Sequence, residues 1–198
     1  MNLKMLTRLL PVSAIAAGML AASVSVQADW QLNNQQSSLN FLSVKKVHIA
    51  ETFHITRLAG QLSDSGKLSV QLDLDSIETN IGIRNERMRE HLFETSKFKT
   101  ATLNSQLPAD VMQTVKNGGF VNAEVDASLS FHGLEKPLKV KVSLLSDGKQ
   151  VLASSSQPVV LTAETYGLTA GIDKLKSLAG LDYIGYTVPV SFSLVLEQ

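Results

Sequence analysis

The chain of 198 residues has no cysteine. Without a thiol there is no disulfide framework, no thiolate zinc or iron–sulfur site, no cysteine nucleophile and no lipid anchor on an N-terminal cysteine. Net charge is missing too, since 18 Lys+Arg offset 18 Asp+Glu. No bulk field therefore draws the protein to nucleic acid or to an anionic membrane surface. Familiar catalytic signatures are absent: there is no Gly-x-Ser-x-Gly elbow, no glycine loop for phosphate, no His-Glu-x-x-His and no carboxylate-rich calcium loop. The histidines His48, His54, His91 and His132 include no i, i+2 or i, i+4 pair, so neither a metal site nor a cofactor is expected. What remains is 44% hydrophobic and 18% charged, too apolar for disorder and of a length that suits one domain.

Long apolar runs are confined to the N-terminus. Lys4 and Arg8 precede an almost uninterrupted small and apolar stretch from Leu9 to Val24, and Val26-Gln27-Ala28 ends it in a small-x-small pattern. This predicts an export signal over residues 1–28, cleaved after Ala28, and a mature domain over 29–198 in the periplasm or outside the cell. The alternative is an uncleaved anchor. Loss of Lys4 and Arg8 leaves the mature chain with a net charge of −2, and no later segment approaches the ~18 continuous apolar residues of a membrane span.

Beyond the signal, apolar and polar residues alternate with period two. Leu68, Val70, Leu72 and Leu74 alternate with polar residues in Lys67–Asp75. Val121, Ala123, Val125, Ala127, Leu129 and Phe131 share one face of 121–131, and Tyr186, Val188, Val190, Phe192, Leu194 and Leu196 one face of the last segment. Pro189 falls on that segment's outer face, which suggests an edge or a bulge. Shorter strands are predicted at 31–33, 38–45, 52–61, 102–107, 138–145 and 158–164, separated by turns such as Ser63-Asp64-Ser65-Gly66 and Asn117-Gly118-Gly119. The fold class is all-β: an antiparallel barrel of about eight strands, wide enough for one small ligand. Arg84–Ser96 is predicted as a helix capped by Asn85, with Met88 and Leu92 on its buried side, and a second short helix runs from Ile172 to Leu178. Such helices can lie over the barrel openings.

The order of residues resembles the YceI-like family of bacterial polyisoprenoid-binding proteins. The resemblance is carried by Trp30-Gln31-Leu32, Ser37 to Phe41, Ile55 to Gly60, Leu72 to Thr79 running into Ile83 to Arg89, then Leu129 to Leu138, Tyr166-Gly167-Leu168 and the final strand. It implies an extended lipocalin-like barrel, periplasmic and without known catalysis, whose apolar interior encloses an isoprenoid chain such as a quinone or polyprenyl tail. Two places depart from the family's pattern: Arg84-Asn85 stands where Arg-Asp is usual, and Phe98-Lys99 replaces an aromatic-Pro pair.

On these grounds the expected tail channel comprises Phe41, Phe53, Ile55, Leu72, Leu74, Ile77, Met88, Leu92, Phe93, Ala123, Val125, Ala127, Leu129, Phe131, Tyr166 and Phe192. Ala123 and Ala127 are small enough to leave volume on the longest inward face. Arg84, Arg87 and His91 are the candidate contacts to a polar head, because a guanidinium fork suits phosphate or carbonyl oxygens. The expected partner is an isoprenoid or other amphipathic lipid, with a homodimer left open. Two other functions stand beside the carrier: a lipid- or quinone-modifying enzyme with His91 or His54 as base, and a structural or partner-binding barrel filled by its own side chains.

Overall fold

The computed structural model describes residues 30–198. The expected signal segment 1–28 and its cleavage after Ala28 lie outside the described residues.

Twelve strands build the fold: β1 (Trp30–Leu32), β2 (Ser38–Lys45), β3 (Ile49–Ile55), β4 (Leu58–Leu62), β5 (Lys67–Asp73), β6 (Ile77–Glu78), β7 (Thr100–Gln106), β8 (Gly119–Phe131), β9 (Leu134–Ser146), β10 (Gln150–Ser155), β11 (Val159–Thr162) and β12 (Thr187–Glu197). They form a closed antiparallel barrel of 8 staves, because β12 pairs with β1 as well as with β10 and thereby joins the two ends of the sheet. Four staves are interrupted. β1 continues as β2, β3 as β4, β5 as β6 and β10 as β11, so the pairs β1–β4 and β2–β3 run side by side, as do β4–β5 and β3–β6.

At the interruptions short polar side chains replace the missing ladder bonds. The Asn34 side-chain carbonyl accepts from Leu58 N–H at 2.6 Å, Ser37 Oγ from Val195 N–H at 2.9 Å, Ser155 Oγ from Phe192 N–H at 3.1 Å, and Ser76 Oγ from Thr56 and Arg57 N–H at 3.1 and 2.9 Å. The single strand expected over 52–61 is therefore two, split where Thr56 and Arg57 turn to Ser76. Pro189 pairs with Val160 of β11, while β2 takes up pairing with β12 only from Val190. The proline thus stands where one neighbour is lacking.

Three helices close the barrel. α1 (Gly82–Arg87) runs into a π-helical turn over Met88–Leu92, and α3 (Thr169–Leu178) packs against that turn; both lie at the end formed by the β2–β3 and β8–β9 hairpins. At the opposite end α2 (Ala109–Asn117) buries Val111, Met112 and Val115, and Ser146 Oγ of β9 donates to the Val115 carbonyl at 2.7 Å. Period-two alternation gives no sign of α2, although Val111 and Val115 stand at the i, i+4 spacing of a buried helical side.

α1 also begins earlier than expected. Arg84 and Asn85 N–H both donate to the Ile81 carbonyl, so Gly82 opens the helix and Asn85 lies inside it. Asn85 is therefore no cap. It is buried, its side-chain carbonyl accepting from Thr79 N–H at 2.9 Å and its amide donating to Glu78 Oε1 at 3.1 Å. At the other departure, the Phe98 ring lies 4.5 Å from that of His132 and packs over Gly133, where a Cβ would meet it at 3.0 Å. The Lys99 carbonyl accepts from Leu74 N–H at 2.9 Å, tying this loop to the turn between β5 and β6.

Candidate functional site

The two ends of the barrel interior differ. Toward α2, inward side chains of the strands meet the helix and close up: Trp30, Leu62 and Val151 of β1, β4 and β10, with Val111 and Val115 of α2, are all at most 1% exposed. Toward α1 and α3 the staves end beneath two thin helical segments, and space remains. An apolar chamber of about 120 Å³ and a rim chamber of about 320 Å³ adjoin there, sharing Phe41, Leu92, Ile172 and Val188 as walls.

The apolar chamber is walled by Phe41 of β2, Ile55 of β3, Leu72 of β5 and Leu129 and Phe131 of β8, with Leu74, Leu92, Phe93 and Tyr166 from the connecting segments. All of these belong to the expected channel. Phe131 is its organising ring, 6.0 Å from Phe93 and 5.4 Å from Tyr166 between centroids. Among the described residues no charged side chain lines it. Burial pushes the Tyr166 phenol above its usual value, so this ring stays neutral.

The rim chamber is mixed. Phe53 and Met88, expected in the channel, line it together with Arg84, Arg87, Lys45 and Glu51. Arg84 Nη1 donates to Glu51 Oε2 at 3.0 Å and Nη2 to the Thr79 carbonyl at 2.6 Å, while the guanidinium carbon lies 4.5 Å from the Phe53 ring centre. Lys45 Nζ reaches the same Glu51 oxygen at 2.8 Å. Burial works to raise the Glu51 carboxyl, but the hydrogen bonds from Lys45 and Arg84 prevail and hold it below its usual value. One donor is unspent: Arg84 Nε is buried and has no partner among the described residues. A buried N–H without an acceptor is costly, by about 1–3 kcal/mol. Arg87 is partly committed, with Nη1 on the Leu178 carbonyl at 3.2 Å.

Several expected channel residues line neither chamber. Ala123, Val125 and Ala127 do face inward, yet they pack within the core, where volume left by small side chains is taken up. Ile77 is buried and Phe192 half-buried against the core. His91 and His54 are also outside both chambers. His54 stands on the outward parity of β3, its Nδ1 2.6 Å from the Asn40 side-chain oxygen, and His91 is 3.8 Å from Glu90.

Other walls were overlooked. Leu39, Val188 and Val190 share the strand parity of nominated neighbours, so alternation alone could have found them. Ala101 and Ala163 carry no such signal, being small residues near strand ends. Among the described residues no His, Asp and Glu side chains gather into a group that could hold a metal.

The lid depends on one close contact. A Cβ on Gly171 of α3 would lie 2.6 Å from the His91 carbonyl oxygen and 3.0 Å from Leu92 Cα. Gly171→Ala would raise helix propensity by about 1 kcal/mol in an open helix. Here it should instead lower stability by about 1–3 kcal/mol, because α3 must back away from the π-helical turn. Thermal unfolding reads the sign, and a raised midpoint would show that α3 is not seated on this turn.

Comparison with known proteins covers the same residues. A family model described as the YceI-like domain matches residues 30–196. A protein of Pseudomonas fluorescens described as a UPF0312 protein is 29% identical over 156 residues, 73% of this chain and 77% of its own. Among solved structures, a polyisoprenoid-binding domain from Saccharophagus degradans, implicated in plant cell wall breakdown, superposes with a TM-score of 0.82 at 32% identity, covering 86% of this chain and 99% of that one. BcnA of Burkholderia cenocepacia shares the fold, with a TM-score of 0.64 at 17% identity over 83% of this chain and 98% of its own.

Proposed function

The chain belongs to the YceI-like family, and on that premise we propose that it is a periplasmic carrier holding the tail of an isoprenoid or similar amphipathic lipid, of quinone or polyprenyl type. The tail occupies the apolar chamber and the polar head faces the rim chamber. The observation that carries this reading is the sorting of the walls: one chamber without charge, adjoining one lined by Arg84 and Arg87. The Saccharophagus domain, described as polyisoprenoid-binding, supports the same ligand class.

Tail contacts are assigned to Phe41, Ile55, Leu72, Leu74, Leu92, Phe93, Leu129, Phe131 and Tyr166, and head contacts to Arg84 and Arg87. Each buried methylene contributes about 0.8 kcal/mol, so ten of them supply about 8 kcal/mol toward an association cost of the same order. Affinity is then set by tail length, and selectivity by what Arg84 can reach. A tail longer than the apolar chamber runs on into the rim chamber or displaces the lid helices. Binding without turnover fits the place of His54 and His91 outside both chambers.

The test is organic extraction of protein purified from its own host without detergent, followed by mass spectrometry. About one prenyl lipid per chain is expected. An extract without lipid, from protein that also takes up none when a quinone is supplied, would sink the carrier reading in favour of a structural barrel.

A further inference from the structure

The lid end carries apolar residues that the barrel does not use. Val47 is 71% exposed, Ile83 54%, Ile81 46%, Tyr183 43% and Ile49 39%. They belong to three segments that meet around one opening. The tip of the β2–β3 hairpin is held to the loop before β12 by Lys46 N–H donating to the Tyr183 carbonyl at 3.1 Å and Gly185 N–H to the Val44 carbonyl at 2.8 Å. Ile81 and Ile83, at the start of α1, line the rim chamber beside Lys45 and Ile184 of those two segments. The exposed apolar surface is therefore continuous with the mouth of the cavity.

Val47 adds a second observation. Lys46 and Val47 have φ of 48° and 70°, the left-handed region of a tight hairpin. Asparagine or glycine adopts that region at little cost, whereas a β-branched side chain is strained in it. Neither turn chemistry nor burial accounts for a valine at this point. A tip that must enter an apolar medium does.

We infer that this rim docks on a lipid bilayer, with Val47, Ile49, Ile81 and Ile83 entering the acyl boundary and the cavity mouth opening directly onto the membrane. The inference rests on the lipid-carrier reading and states where the cargo is taken up. Tyr183 suits the headgroup level, where amphipathic rings collect. Lys46, which makes no ion pair among the described residues, stands beside the tip where it can meet lipid phosphate. The other charges carried by these three segments balance, Lys45, Arg84 and Arg87 against Glu51, Glu86 and Asp182. Docking therefore depends on apolar insertion more than on field, in keeping with the neutral composition. A bilayer at the mouth lets a tail pass from membrane to chamber without exposing its methylenes to water.

The test uses the exported protein, its N-terminus defined by mass spectrometry, with vesicles of phosphatidylethanolamine and phosphatidylglycerol. The variant is Val47→Asn with Tyr183→Ser, neither position lining a chamber. Flotation should show the unaltered protein on vesicles and at least a fivefold smaller bound fraction for the variant. Passage of a prenyl quinone from donor to acceptor vesicles should slow in proportion, while the amount bound when the quinone is supplied from ethanol stays the same. The melting temperature of Val47→Asn alone should be unchanged or higher, which separates lost docking from lost folding. Equal flotation of variant and unaltered protein, or none by either, overturns membrane docking. Flotation as expected with no quinone bound by either protein would leave docking standing and overturn the carrier reading instead.

Discussion

Replacing Ala101 by phenylalanine should abolish lipid uptake while leaving the barrel folded. Ala101, on β7 opposite Leu72 of β5, is 2% exposed and looks into the apolar chamber. A phenyl ring there takes the place of the tail in a space of about 120 Å³. In a filled core such an enlargement costs about 1–3 kcal/mol; beside a chamber with room for the ring the strain is relieved and the added apolar contact offsets it. Bound lipid per chain, read by extraction and mass spectrometry, should fall at least tenfold with the melting temperature within a few degrees of the parent. Ala127→Phe is the control. Ala127 lines neither chamber and is packed, so its enlargement should cost stability. Lipid retained by Ala101→Phe would show that the tail lies elsewhere.

The second large effect is expected at Asn85. Its amide donates to Glu78 while its carbonyl accepts from Thr79. An aspartate in the same place still accepts from Thr79 but presents a second carboxylate to Glu78. The hydrogen bond from Asn85, with that from Asn80 N–H, holds the Glu78 carboxyl below its usual value. A carboxyl lowered on folding stabilises the protein above its unfolded pKa and loses that contribution as pH falls through the folded value. In Asn85→Asp the pair repels, and the buried member is raised on folding instead. Its folded state is then favoured at low pH and loses ground as pH rises through the ordinary carboxylate range. The variant should be less stable by about 3 kcal/mol at pH 7 and recover toward pH 4, the reverse of the parent's local trend. Adding Glu78→Gln should restore most of the loss, since the new side-chain amide can donate to the introduced carboxylate. Chemical denaturation across pH checks both slopes; parallel slopes for parent and Asn85→Asp would rule out repulsion between Glu78 and the introduced carboxylate.

Asn85 also shows how far the sequence could be followed. Asparagine near the start of a helical stretch reads as a cap, because its side chain commonly takes a free N–H there. The structure begins α1 already at Gly82 and uses that side chain to bind Thr79 and Glu78, a bond pattern that requires knowing where the strand before the helix ends. The two faces of β8 were legible throughout: Val125, Ala127 and Leu129 are buried while Glu124 and Asp126 are exposed. What differed along that one face was its surroundings. Phe131 and Leu129 meet a chamber; Ala127, Val125 and Ala123 do not. α2 explains part of the difference, since its buried face fills the end of the barrel from which β8 starts, and strand alternation carries no trace of it.

Composition and alternation alone determined that the chain lacks thiol chemistry and that its strands have one wet and one dry face. These are properties of single residues and of neighbours two positions apart, because a strand turns its side chains with period two wherever it lies. The place of the cavity, and the company its charges keep, were decided by tertiary structure. A void is defined by what several distant segments fail to fill, and Arg84 meets Glu51 across 33 positions of chain. Alternation marks the side that faces inward; only the placement of α1, α2 and α3 decides where inside there is room.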